Sequence, residues 1–521
     1  MRRLFAVLLL ALLLTACATP QPAAPSSAPT DAPAQSGVTV KTDYSAYTPH
    51  TALEPLYTRL SEDFISDLQP SEDYGRLYPF AGSTLTHATE DGHGYQAGSL
   101  YGMVDSKGRI VADPVYHDIS LLQDKDGDPM PYWLLGRASG QEGEYLYAIA
   151  SLDGSFVTDC IYNSYIYGSD SHITAIQETD DSCRFDVYTL EGELVLRSED
   201  LLFRERIKAI LCPSGFSEGL FTIGLAPDNP NANYSEYYYI NIAGELVLGP
   251  YQSYHLYHAP TSFSEGMAVV RIMTGEFAYI DHDGNILLKG YSDASNFKDG
   301  TAIVSDSASD SWQVIDAAGN VLIDGSDNYY IQREDTGFIV HSDAGLTYYD
   351  KDCNLLYGGP VGNQYRRLTE SGIFYDIYAD DCTLLDANTG HQQVLEVEHY
   401  NYAYSLESLD YFSCYCLDKE NQTFSFVLMD DTLTERLSGP GFINALTDAF
   451  SDDVLLWQNA PGSVTVYDAA LTPLFKIPTS SFDSLQRYGD RICCTDAFAC
   501  SYYDLEGNLL FRYPPTNSME D

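Results

Sequence analysis

The chain has 521 residues, with 27 Lys and Arg against 75 Asp and Glu, a formal net charge of −48. A field of that sign repels polyanions over roughly one Debye length, about 8 Å at physiological salt, and so disfavours nucleic acid as a partner; cations, cationic peptides and neutral glycans stay open. An apolar fraction of 45% supports a large core, and 42 Tyr against 3 Trp favours strands with one apolar and one wet side.

Met1-Arg2-Arg3 precedes an unbroken apolar run from Leu4 to Leu14, the layout of a secretion signal. As a helix that run rises only about 16 Å, roughly half of a ~30 Å hydrocarbon core, too little for a stable span. It ends in Leu14-Thr15-Ala16-Cys17, which resembles the lipobox of bacterial lipoproteins. The resemblance implies a diacylglyceryl group on Cys17, cleavage that leaves Cys17 as the first residue, and attachment to the extracytoplasmic face of a cell membrane. Two acyl chains meet the two-signal requirement for stable anchoring. Removing Arg2 and Arg3 with the signal gives 25 − 75 = −50 for the mature chain. Residues 17–40 are dominated by Ala, Pro, Ser and Thr, a composition that buries too little to order itself and predicts a flexible tether.

Within residues 41–74, Leu53, Leu56, Leu60, Phe64 and Leu68 recur at three- and four-residue spacing. Pro55 stands in the first turn and Pro70 beyond the end. This spacing predicts one amphipathic helix that caps the first of a series of repeats.

After residue 75 the chain repeats itself. Tyr101 to Tyr116 around Gly108, Phe277 to Tyr291 around Gly284, and Trp312 to Ile323 around Gly319 share one skeleton. An alternating apolar strand runs into Asp-x-x-Gly, and a second apolar strand comes after it. Gly supplies the positive φ and Asp bonds the turn amides, which predicts a β-hairpin. Weaker copies centre on Gly154, Gly192, Gly244, Cys353, Asp381, Asp431, Leu471 and Gly507. The period is about 40 residues, that of a propeller blade. Phe216-Ser-Glu-Gly219, Phe263-Ser-Glu-Gly266 and Phe297-Lys-Asp-Gly300 form a second, interleaved element, each leading into a strand. Together the two elements resemble the WG repeat of bacterial surface and secreted proteins, with Tyr101-Gly102 where Trp-Gly would stand. The resemblance is clearest over 95–325 and implies an architecture, with no active site. The expected fold is all-β, propeller-like as one or two propellers or an open stacked array. A first repeat region spans 75–330 and a degenerate second one 331–515, with a tail at 516–521.

Chemistry-bearing motifs are few. Gly215-x-Ser217-x-Gly219 has the serine-hydrolase pattern but leads into a strand, and its sister copies make Ser217 a turn residue. Asp124, Asp126 and Asp128 alternate as in calcium loops, yet Pro129 and Leu135 occupy the places where an EF-hand needs Gly and Glu. They are kept as a candidate calcium site. Asp281-His-Asp283 falls on a repeat turn. Ten cysteines besides Cys17 show no zinc spacing, and Cys493-Cys494 should point to opposite faces of a strand. The expected function is a membrane-anchored, non-catalytic binding or scaffold module for a protein, peptide or glycan. The alternative is a propeller hydrolase acting on glycans.

Overall fold

The computed structural model describes residues 58–59 and 67–513, apart from short internal stretches. The chain divides into two units, residues 1–39 and 40–521, and the description concerns the second. The predicted signal, Cys17, the predicted tether, Asp126, the expected turn at Asp381 and most of the predicted helix lie outside the described residues. Of the helix positions, Leu68 is buried, and Thr58–Arg59 is a two-residue strand pairing in parallel with Arg109–Tyr116.

The described residues form ten sheets, almost wholly antiparallel, with strands neighbouring in chain order. The six-stranded sheet holds two successive repeats, residues 268–294 and 301–325, so the repeats among the described residues number eleven. The fold is all-β and propeller-like.

The hairpin turn explains why each repeat folds locally. At Asp281 the backbone closes twice, Gly284 N–H to Asp281 O at 2.9 Å and Asp281 N–H to Asn285 O at 3.0 Å. One carboxylate oxygen accepts the amides of Asp283 and Asn285, and Asn285 Nδ2 donates to the other at 3.0 Å. Asp316, Asp350 and Asp504 repeat this arrangement with Asn320, Asn354 and Asn508. These bonds to Asn285 hold the Asp281 carboxyl below its usual pKa. Every glycine expected in a hairpin turn, from Gly108 to Gly507, has positive φ. Cys353 and Leu471 take the same conformation without being Gly. One turn is corrected: the residue in the left-handed conformation is Leu433, with Asp430 rather than Asp431 as its cap.

Alternating strand residues pack each repeat on the next. Trp133 and Leu135 of the second repeat meet Met103 and Val111 of the first; Val314 and Ile323 meet Ile331 and Phe338, so the core runs on across residue 330. Tyrosine serves as a rivet. Tyr239 and Tyr279 are buried two residues before their turns, and each donates its hydroxyl to a backbone carbonyl of the following repeat, Thr261 and Ser295, at 2.7 Å. A buried ring with a satisfied polar tip is what tyrosine offers and phenylalanine does not.

The equivalent residue of the last repeat, Tyr502, donates to Pro79 O in the first. Around that bond Tyr78, Val104 and Ile110 share one cluster with Cys493, Tyr502 and Phe511. The Arg491 guanidinium lies 4.1 Å from the Tyr78 ring centre and donates to Ser106 O at 3.0 Å. The eleventh repeat therefore packs against the first with the same devices that join interior repeats.

Candidate functional site

Three Phe-x-x-Gly turns form a bonded series along successive repeats. Phe216, Phe263 and Phe297 are buried anchors. Glu218, Glu265 and Asp299 have φ of 51°, 55° and 55°, and each is followed by a Gly of positive φ. Two left-handed residues in succession make a tight turn whose twist suits the flanking strands.

The turns are bonded to one another. Ser217 Oγ donates to Phe263 O at 2.6 Å, and Ser264 Oγ to Phe297 O at 2.7 Å. The Glu218 carboxylate accepts the Gly266 amide at 3.1 Å, and Glu265 accepts that of Gly300 at 2.9 Å. Each turn thus caps the next. Ser217, the residue with the hydrolase-like spacing, commits its hydroxyl to this ladder.

The ladder ends at the seventh repeat. There Arg333 Nη2 donates to Thr301 O and to Thr301 Oγ1, both at 2.9 Å, and its guanidinium carbon stands 4.7 Å from the Phe338 ring centre. Burial lowers the Arg333 pKa, and nearby Asp299, Cys353 and Glu265 oppose that shift. A cleft of about 260 Å³ opens beside it, lined by Lys298, Asp299, Arg333, Glu334, Phe338 and Lys351. Gly337 also lines it, at a place where a Cβ would meet Tyr349 O at 2.0 Å. Three cations converge here on a chain where acids outnumber bases almost threefold. No short motif marks the cleft in the sequence, because its cations come from separate segments of two repeats, Lys298 and Lys351 from turns and Arg333 from the strand Asn328–Glu334.

Of the candidate calcium loop the described residues are Asp124, Gly127 and Asp128, which bond to one another. Asp124 N–H bonds Asp128 O at 2.9 Å, Gly127 N–H bonds Asp124 O at 3.1 Å, and Asp124 Oδ1 accepts the Asp128 amide at 2.9 Å. Among the described residues no group of three or more His, Cys, Asp or Glu side chains is arranged to hold a metal. Calcium at Asp124, Asp126 and Asp128 is a proposal with a direct test. Calcium at a hundredfold excess over its dissociation constant should stabilise the fold by about 2.7 kcal/mol, read as a melting-temperature rise that sodium at equal ionic strength does not give. Equal shifts with both salts, or a calcium response that survives Asn at all three positions, would remove the site.

Residues 101–124 and 277–306 match the family model of the WG containing repeat. This is a β-repeat protein, similar to the WG containing repeat over those two stretches. No curated protein matches the chain. Among solved structures it is similar to a eukaryotic initiation factor, at 10% identity and TM-score 0.37, covering 78% of this chain and 97% of that one. It is also similar to BamB from Moraxella catarrhalis, at 11% identity and TM-score 0.24, covering 68% and 95%. The tricorn protease matches at 12% identity and TM-score 0.23, covering 75% and 44%. At such scores the architecture rests on the sheet order and end-to-end packing of the chain itself.

Proposed function

We propose that this chain is a lipid-anchored, extracytoplasmic binding protein that holds the charged end of a peptide, without turning it over, between its sixth and seventh repeats. The convergence of Lys298, Arg333 and Lys351 on one cleft carries this reading. Arg333 is already fixed by Thr301 and Phe338, so a carboxylate bound there orders little that is not ordered beforehand. A guanidinium binds carboxylates through charge-assisted, directional hydrogen bonds. Asp299 and Glu334 supply the opposite sign for an ammonium on the same ligand. No observation favours the hydrolase alternative.

The test is calorimetric titration of the full chain with a short peptide, once as the free acid and once amidated. The free acid should bind more tightly, and Arg333→Ala should weaken it by about tenfold or more, the cost of a hydrogen bond to a charged group. Equal affinity for the two peptides, or no effect of Arg333→Ala, refutes the cleft as a carboxylate site.

The anchor is tested separately. Cys17→Ser removes the thiol that accepts lipid and should move the protein from the membrane fraction to a soluble envelope fraction or the medium. A Cys17→Ser protein that still sediments with membranes after a high-salt wash would rule out the lipid. Among the described residues no helix is long and apolar enough to cross a membrane.

A further inference from the structure

The sulfurs of Cys493 and Cys500 stand 3.2 Å apart, and both residues are buried. They occupy neighbouring strands of the last repeat, Arg491–Thr495 and Cys500–Asp504. Cys493 is opposite Tyr502, and Thr495 is opposite Cys500, so the cysteines are diagonal neighbours on one face. That face packs on the first repeat, in the cluster with Tyr78, Val104 and Phe511. Cys494 points the other way, into the cluster with Phe475 and Tyr503. The Thr495 hydroxyl lies 3.7 Å from one sulfur and 3.6 Å from the other.

We propose that Cys493 and Cys500 are a disulfide pair, stapling the strands that join the last repeat to the first. A disulfide bond is ~2.05 Å long, and the sulfurs already stand within 3.2 Å of each other. Cys494 cannot substitute without turning its side chain through the sheet. The oxidant is a low-molecular-weight disulfide. One cysteine thiolate attacks it, forming a mixed disulfide and expelling one thiolate. The second cysteine thiolate then attacks the protein sulfur of that mixed disulfide and expels the other. Two protein thiols and one disulfide become one protein disulfide and two small thiols, with two electrons passing to the oxidant. Burial also raises the Cys493 thiol pKa far above its ordinary value, and only thiolates react. The bond therefore forms before the last repeat docks on the first, and the docked repeats then shield it.

The experiment refolds the reduced, denatured full chain with oxidised glutathione. Remaining thiols are blocked with N-ethylmaleimide in denaturant, and the chain is cut on the N-terminal side of aspartate. Cleavage at Asp496 separates Cys493 from Cys500, so the expected product is a linked pair of peptides, 490–495 and 496–503, that reductant splits. The link should persist in Cys494→Ser and vanish in Cys493→Ser. Folded, fully reduced protein should form it at least tenfold more slowly than the refolding chain. Maleimide on Cys493, Cys494 and Cys500 alike in refolded protein overturns the proposal. So does a link that persists in Cys493→Ser and vanishes in Cys494→Ser. Because the assay reads covalent mass in denaturant, a variant that folds poorly still gives an answer.

Discussion

Phe511→Ala is expected to cost about 3–5 kcal/mol of stability, the range for truncating a buried aromatic, and to loosen the two ends of the chain from each other. Phe511 is 3% exposed. Its ring lies 4.8 Å from that of Tyr502 and 6.4 Å from that of Tyr78, and Arg491 stands over it. Phe475, 0% exposed, fills the corresponding place one repeat earlier, against Gly507. Phe475→Ala should cost a similar amount but leave the ends joined. Denaturant unfolding gives the two free energies, and limited proteolysis reports which variant exposes residues 78–116 first. If Phe511→Ala costs under about 1 kcal/mol while Phe475→Ala costs its full range, the first and last repeats do not pack together in solution.

Gly108→Ala should cost about 2–5 kcal/mol, and Gly266→Ala only about 1–2. Both glycines have positive φ, 76° and 80°, where an L side chain costs ~1–2 kcal/mol. Only Gly108 is also crowded. A Cβ there would stand 2.9 Å from Phe511 Cδ1, whereas nothing lies within 4 Å of one on Gly266. Overpacking adds about 1–3 kcal/mol. Phe511→Ala in the Gly108→Ala background should recover part of that second cost, since Cδ1 and Cγ are gone and only Cβ, at 3.1 Å, remains. Equal costs for the two glycine variants would show that Phe511 does not reach Gly108. The contact recurs: Leu288 meets Gly319 and Phe475 meets Gly507 in the same way. Gly108, Gly319 and Gly507 thus serve twice, for their conformation and as the hollow that seats the neighbouring repeat.

The all-β character, the repeat period and most of the turn positions follow from the sequence alone, because they are local. Asp-x-x-Gly followed by Asn carries its own hydrogen bonds, so Asp281 and Asp316 need no tertiary partner to close their turns. The turn at Leu433 lies two residues beyond its expected centre because Asp430 and Asp431 stand side by side and either could cap a turn; the structure shows Asp430 accepting the amides of Thr432 and Thr434. The end-to-end packing is not local at all. Tyr502 and Pro79 are 423 residues apart, and nothing in either segment differs from an interior repeat in a way that names the other as its neighbour. The tertiary structure alone decided that pairing, since it depends on the small rotation each repeat adds to the last. The cleft was hidden for a related reason. Lys298, Arg333 and Lys351 are ordinary surface cations singly, and only stacking the sixth repeat on the seventh brings their charges to one place.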